Sequence, residues 1–565
     1  VAEQELKLAV PKRSRRAVTK ELARGTVNQI SLRAMYFDTP TRALVSKKIG
    51  LRLRQEGRQW VQTLKMPGDH MLSRFELNHP RPGPILDLSV YVGTPAEPAL
   101  ASLTEPLQVC YETDIKRTLR KIRSKQGTVE VAFDLGHIRA GQLSLPVSEI
   151  EFELLSGDLS AIFHLGKKWQ RAFGLIYDAR SKAERGDRLA TLAAKLTTAN
   201  AGTTDSASAD SSKTIAWFWA QRGIGPVLLK PDMDTASGLA KVTAECLDQI
   251  ARNAAVLAEV DTADICRAGT PDHVHQLRVG IRRLRSAWSM FNGLTALPPL
   301  ALRTEIKAHF SQLGGTRDDD VLRETWLPVL EASGQPPIKL DTEIAADHAG
   351  ELCASQAFQS WLLDMLAWSV GVDMSPPLPA TATKTVPEAT ASNQSTASST
   401  NVAAPSADSN NDHLNGDTSG AIETQIIPLT PKAIVVLTLT QTLSNKLKKW
   451  HKRVTSEGLH FDQLDIEARH ELRKRAKRLR YCLQFCESLL PENRLKQYRK
   501  SLAVVQDVLG EMNDLAVASE RFEGLKASQP HAWFAVGWIA SRLEALTKDA
   551  MTAFEDLSKA EHFWR

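Results

Sequence analysis

Apolar and polar residues follow two different periods along this chain, and the change between them is its first structural signal. Over residues 1 to about 190 they alternate every second residue, in short runs: VAEQELKLAV (1–10), QISLRAMYFDT (29–39), GLRLRQE (50–56), QWVQTLK (59–65), SRFEL (73–77), VEVAFDLG (129–136) and SEIEFELL (148–155). Side chains two apart on a strand share a face, so each run predicts a strand with one apolar and one polar side. Helical patterns interrupt the runs at 11–24 and 159–173. Beyond about residue 215, Leu, Ala, Arg and Glu recur with a 3.6-residue period and strand signals fade. The fold class expected is α+β by segregated domains, a β-rich N-terminal domain followed by an all-α remainder.

Two stretches have no period. TTANAGTTDSASADSSK (197–213) and the longer segment 376–420 are small, polar and nearly free of large apolar residues. Neither buries enough surface to offset the entropy of ordering, so both are expected to be disordered. They divide the chain into a domain at 1–196, a linker at 197–214 and a helical domain at 215–565. The halves of that helical domain span about 225–375 and 426–565, around a low-complexity insertion at 376–425.

At 565 residues, 42% apolar and 24% charged, the composition is that of a globular protein with more than one core. The net charge of +6 is too small to imply nucleic acid by itself, so local clusters matter more. The six cysteines form no paired metal pattern or disulfide framework, and Cys482 and Cys486, one turn apart, read as helix packing. No apolar run approaches the ~20 residues of a membrane span, and the first residues show no signal-peptide pattern. A cytoplasmic location without a membrane partner is expected.

The polar faces of the strands carry charges of both signs. Glu3, Glu5 and Lys7 share one face, as do Arg52 and Arg54, Thr63 and Lys65, Arg74 and Glu76, Glu130 and Asp134, and the trio Glu149, Glu151 and Glu153. One such strand reads as a solvated edge. Several together read as the lining of a closed barrel, where buried charges are costly unless a ligand or water meets them. Arg and Lys suit phosphate oxygens, and paired Glu side chains are hard ligands for Mg2+ or Mn2+. The combination describes a polyanion held with a divalent metal, bound by side chains because no Walker-type Gly-rich loop is present.

EQELK (3–7), GLRLR (50–54), TLK (63–65), FELLSGD (152–158) and SKAERG (181–186) follow the order of motifs in the CYTH family, the triphosphate tunnel metalloenzymes, and residues 1–190 resemble that family. The resemblance implies an antiparallel β-barrel tunnel of roughly eight strands. It implies that Glu3, Glu5, Glu149 and Glu151 are metal ligands or water-activating carboxylates. Glu3, Glu5, Lys7 and Glu151 form the implied catalytic set. Lys7, Arg52, Arg54, Lys65, Arg117 and Lys182 would cradle the phosphates, with Glu76, Glu130, Asp134 and Glu153 as further wall residues. The segment TDIKRTLRKIR (113–123) around Arg117 is more basic than the family pattern.

The helical part contains a repeat. HQLRVGIRRLR (275–285) recurs as HELRKRAKRLR (470–480), and LGGTRDDDVL (313–322) recurs as LGEMNDLAVA (509–518). On a helix, His275, Arg278, Arg282 and Arg285 share one face, opposite Leu277, Ile281, Leu284 and Trp288. His470, Arg473, Lys477 and Arg480 repeat the arrangement, opposite Leu472, Ala476, Leu479 and Leu483. Like charges at these spacings repel, so carrying them twice points to an anionic partner. The repeat resembles the CHAD domain over about 225–565. That resemblance implies two pseudo-symmetric helical bundles with a groove for polyphosphate, to which Lys307, Arg317 and Lys500 add. If both His side chains titrate at their reference value, binding strengthens as pH falls through roughly 6.5. Nucleic acid is disfavoured, because the repeats lack interleaved aromatics for stacking bases.

These readings predict a metal-dependent inorganic triphosphatase, a hydrolase of phosphoanhydride bonds with Mg2+ or Mn2+ as cofactor and a polyphosphate-binding helical domain. An adenylate cyclase, or a thiamine or nucleoside triphosphatase of the same family, is the second enzyme reading. A polyphosphate-granule-binding protein without activity is the third. No base-recognition motif is visible, which favours the inorganic substrate. A fragment ending near Leu196 is expected to fold alone.

Overall fold

The computed structural model describes residues 2–68, 72–200, 218–260, 269–313, 321–340, 346–374 and 437–564. Most of the 197–213 stretch, the insertion and Arg317 lie outside the described residues.

Nine strands form one antiparallel sheet: β1 (Ala2–Ala9), β2 (Asn28–Asp38), β3 (Gly50–Glu56), β4 (Gln59–Pro67), β5 (Ser73–Arg81), β6 (Gln108–Arg123), β7 (Gly127–Ala140), β8 (Leu143–Gly157) and the two-residue β9 (Ile176–Tyr177). Their order is β5-β4-β3-β2-β6-β7-β8-β1-β9, and β1 also pairs with β5. That last pairing closes the eight longer strands into the expected barrel. GLRLRQE is β3 residue for residue, with Leu51 and Leu53 buried on one side and Arg52 and Arg54 on the other. β6 alternates only in its first half, where Tyr111, Thr113 and Ile115 are buried; beyond them Lys116, Arg117, Arg120 and Lys121 put charge on both faces, with Arg117 turned inward to Asp134.

The outer faces of β1, β7 and β8 carry Leu6, Leu8, Val131, Phe133, Ile150 and Phe152, all fully buried beneath the helix Ser160–Phe173. This core continues into the helical part as one cluster reaching Phe563. Lys167 on that helix pairs with Asp364 on the helix Gln356–Ser369, and the Tyr177 N–H donates to Gln359 Oε1 at 2.8 Å. A fragment ending near Leu196 would therefore expose an apolar face that the chain buries.

In the first half of the helical part run Thr235–Leu257, Pro271–Phe291, Leu300–Gln312 and Gln356–Ser369. In the second run Leu439–Gly458, Ile466–Phe485, Glu492–Leu525 and Ala532–Lys559. Asp234, Ser355, Thr438 and Asp465 each cap a helix by accepting the N–H three residues on. The two repeat helices, Pro271–Phe291 and Ile466–Phe485, touch each other through the Cys482 thiol, which donates to the Ser286 carbonyl at 3.5 Å. Cys482 and Cys486 are buried and free, as packing residues should be. Among the described residues no helix is long and apolar enough to cross a membrane.

Candidate active site and anion groove

Strand register decides which charges meet inside the barrel. Lys7 lies opposite Glu151, Asp134 lies opposite both Arg117 and Glu149, and Lys65 lies opposite Glu76. Another part of the bore is apolar: Leu32, Ala34, Tyr36, Tyr111, Ile138 and Val147 pack with Leu189 and Leu192 of the helix Lys182–Asn200. Gly186 permits this fit, because a Cβ there would come within 2.1 Å of the Tyr111 ring. The Tyr111 hydroxyl donates to the Ala183 carbonyl at 3.0 Å, and its ring stacks on Tyr36 at 4.5 Å.

The first turn of that helix carries Lys182 and Arg185 into the charged half of the bore. Lys182 Nζ lies 2.8 Å from Asp134 and 2.7 Å from Glu151, and also pairs with Glu149. Arg185 pairs with Glu149. Arg117 grips Asp134 through two bonds of 2.7 Å and also bonds Glu151. Lys7 Nζ is 3.7 Å from Glu149 and donates to the Arg180 carbonyl. Burial alone would raise the Glu149 carboxyl, but Arg185, Lys182 and Lys7 outweigh it and bring it down to about 2. Burial likewise opposes ionisation of Glu151, yet Lys182 and Arg117 hold it well below the usual carboxylate range.

A second group stands along β1, β3, β4 and β5. Lys65 is 3.2 Å from Glu3 and pairs with Glu76; Arg52 is 3.8 Å from Glu76 and donates to the Tyr36 hydroxyl at 3.3 Å; Arg54 pairs with Glu56. Burial and a hydrogen bond with Glu76 push the Glu3 carboxyl up to about 7. Burial also raises Glu153, helped by Glu130 and Glu5. The sequence-predicted tunnel residues thus all face one bore, divided between two groups.

Asp134, Glu149 and Glu151 offer carboxylate oxygens within 4.8 Å of one another, a hard oxygen donor set of the type that suits a divalent cation. Glu3 and Glu5 fall outside this triad. Lys182 stands against the same three carboxylates, so a cation there would share them with its ammonium. Sequence reasoning placed Asp134 only among the wall residues and left Arg185 out. The spacing of Lys182 and Arg185, three apart at a helix start, was the available signal.

The helical part brings the two repeat faces together. Arg278, Arg282 and Arg285 lie over the Phe310 ring at 5.2, 5.3 and 5.8 Å. Burial brings Lys477 down to about 7, and its neighbours Arg473, Arg282 and Arg480 add to this. Burial lowers Arg285 as well, with Arg478 and Arg282 beside it. Asp514, from the second repeated motif, is the acid set against Lys477. Arg480 donates to Gln506 at 2.9 Å, while His470, Lys307 and Lys500 are exposed. Two expectations change. Arg278 is buried and bonds the Leu313 carbonyl, so it is part of the packing. His470, exposed at its surface, is lowered by partial desolvation of its ring and by Lys474 and Arg473, which moves its charging below the expected pH.

A family model described as CYTH domain matches residues 2–186, and one described as CHAD domain matches residues 241–523. The chain is 34% identical over 192 residues to an inorganic triphosphatase from Haemophilus influenzae, covering 32% of this chain and 53% of that protein. The chain thus spans about half the length of that curated relative. A crystal structure of the CHAD domain from the plant Ricinus communis is 22% identical, with a TM-score of 0.39, covering 59% of this chain and 96% of that one.

Proposed function

From the premise that this chain belongs to the CHAD family and carries a CYTH domain ahead of it, we propose that it is a metal-dependent inorganic triphosphatase whose helical part binds polyphosphate. The observation behind this is the set of Lys7, Arg117, Lys182 and Arg185 gathered on three carboxylates inside a closed barrel. These cations, with Arg52, Arg54 and Lys65 across the bore, form a cradle for a chain of phosphates. A divalent cation on Asp134, Glu149 and Glu151, with Glu3 and Glu5 as further carboxylates, would neutralise phosphate charge and polarise an attacking water. Glu3, at about 7, has the proton affinity to accept that water's proton near neutrality. Arg and Lys fixed in a water-poor bore stabilise the charge that grows on departing pyrophosphate. The apolar part of the bore, packed with the helix Lys182–Asn200, limits entry of bulk water.

The experiment is a hydrolysis screen of the full chain with triphosphate, ATP and thiamine triphosphate under Mg2+ and Mn2+. Phosphate and pyrophosphate release from triphosphate, exceeding turnover of the other two, is the expected result. Cyclic nucleotide as the main product would favour the cyclase reading, and no turnover under either metal would leave only the polyphosphate-binding reading.

A further inference from the structure

The first turn of the helix Lys182–Asn200 has two sides. Lys182 and Arg185 turn into the barrel, while Glu184 turns to the helical part of the chain. There Arg252, from the helix Thr235–Leu257, holds both Glu184 oxygens, one at 3.0 Å and the other more closely. Arg252 is itself fixed, its Nε 2.6 Å from Asp248, whose other oxygen takes Arg222 Nε at 3.0 Å. The pair is partly buried, with Arg252 20% and Glu184 34% exposed, so its bidentate geometry is not left to bulk solvent.

The residues just before the helix are tied in the same way. Arg180 folds onto Asp178 through bonds of 2.9 and 3.1 Å. Its guanidinium lies 5.4 Å over the Trp219 ring and reaches the Val260 carbonyl at 3.5 Å, both from the helical part. Its own carbonyl accepts Lys7 Nζ from the barrel. The segment 178–185 is therefore held by the bore on one side and by residues beyond 218 on the other.

We propose that the helical part completes the tunnel. Arg252, acting through Glu184, is a positioning residue that keeps Lys182 and Arg185 against the phosphates. The first turn of a helix has unpaired N–H groups and frays without outside ties, and misplacing a binding group by about 1 Å costs large factors in rate. This inference rests on the triphosphatase reading for its substrate, and the test separates the two.

The full chain carries Arg252→Gln, Glu184→Gln or both, with Arg499→Gln, which breaks an exposed pair with Glu487, as control. Each of the first two is expected to weaken triphosphate binding about tenfold, seen in KM more than in kcat and in calorimetry without divalent metal. The double variant is expected to lose no more than either single one, because both remove the same tie. In a Lys182→Met background, Arg252→Gln is expected to add only a smaller loss, the part that acts through Arg185. Binding and KM unchanged in Arg252→Gln, additive losses in the double variant, or an equal loss without Lys182 would each overturn the proposal. Hydrogen exchange over 182–190 is the readout free of substrate. Faster exchange in Arg252→Gln than in the control supports the positioning role, and unchanged exchange overturns it. If the unsubstituted chain binds no triphosphate at all, the triphosphatase reading fails while exchange still decides this one.

Discussion

The barrel bore and the helical groove both gather Arg and Lys, yet they treat charge in opposite ways. In the bore Lys7, Lys65, Arg117, Lys182 and Arg185 each meet a carboxylate, and for Lys65, Arg117 and Lys182 that pairing outweighs burial, whereas burial wins at Lys7. In the groove Arg282 and Arg285 lie over Phe310, and Lys477 has Arg473 and Arg282 as neighbouring cations, with Asp514 the acid against it. The difference teaches what each site needs. A bore with acids and bases already in register is preorganised for metal and phosphate together, and its fields change little when substrate arrives. On the proposed polyphosphate reading, a groove of crowded cations would be relieved by an entering polyanion, and binding there would be driven by charge and by released counterions.

The largest test of this contrast is in the bore. Glu149→Gln or Glu151→Gln removes a carboxylate that several cations share, and turnover should fall roughly 10²–10³-fold at saturating Mg2+ or Mn2+, measured by phosphate release. Activity within twofold of the parent in both variants would end the assignment of the triad.

The groove comes next. Replacing Arg282, Lys477 and Arg480 by Ala should weaken polyphosphate binding roughly 10–100-fold near 0.1 M salt in a filter-retention titration. Arg278 is left in place because its bond to the Leu313 carbonyl is part of the fold. If the triple variant keeps its polyphosphate affinity, the facing repeats are a packing feature. A stronger affinity of the parent for RNA of matched charge would keep the groove and change its partner.

Salt should separate the two sites less sharply. Between 50 and 200 mM, polyphosphate affinity should drop about tenfold, whereas triphosphate KM, set by enclosed ion pairs, should change by about twofold. Equal slopes in the two titrations would remove the distinction between a bore of carboxylate-paired cations and a groove of crowded ones.

The smallest effect is in pH, and its signs oppose. Lys477 is cationic below about 7 and bound phosphate raises its proton affinity, so binding above 7 takes up a proton and weakens by less than about tenfold between pH 7 and 8. Lys477→Arg should remove that slope. Over the same range kcat/KM should rise as Glu3 loses its proton at about 7 and becomes a base. Parallel slopes in the two measurements would mean that one of these groups has been given the wrong role.

The strands with one apolar face were legible because burial leaves a mark of period two, as Leu51 and Leu53 do in β3. In β6 that mark fades after Tyr111, Thr113 and Ile115, where Lys116, Arg117, Arg120 and Lys121 put charge on both faces, and Arg117 entered the expected site through the family resemblance. Helix spacing alone placed Arg278 with Arg282, but the approach of the Leu313 carbonyl turned it into a buried donor. Lys477 was read as an ordinary cation. Its lowered proton affinity comes first from burial, then from Arg473 on its own helix and from Arg282 on the other repeat, nearly two hundred positions away in the chain.

The amino-acid order by itself determined which residues lie on one face of each strand and helix, because backbone geometry fixes periods of two and 3.6. From it followed the charged faces of the strands and the two repeated basic faces, while the closed barrel and the cradle of cations in it were what the CYTH resemblance implied. Only the tertiary structure decided which faces meet. Register set Asp134 between Arg117 and Glu149, closure of β1 on β5 enclosed the charges, and a core shared with the helices brought Arg252 to Glu184. Such contacts join residues far apart in sequence, and the pairings depend on strand order and packing, which local periodicity does not encode.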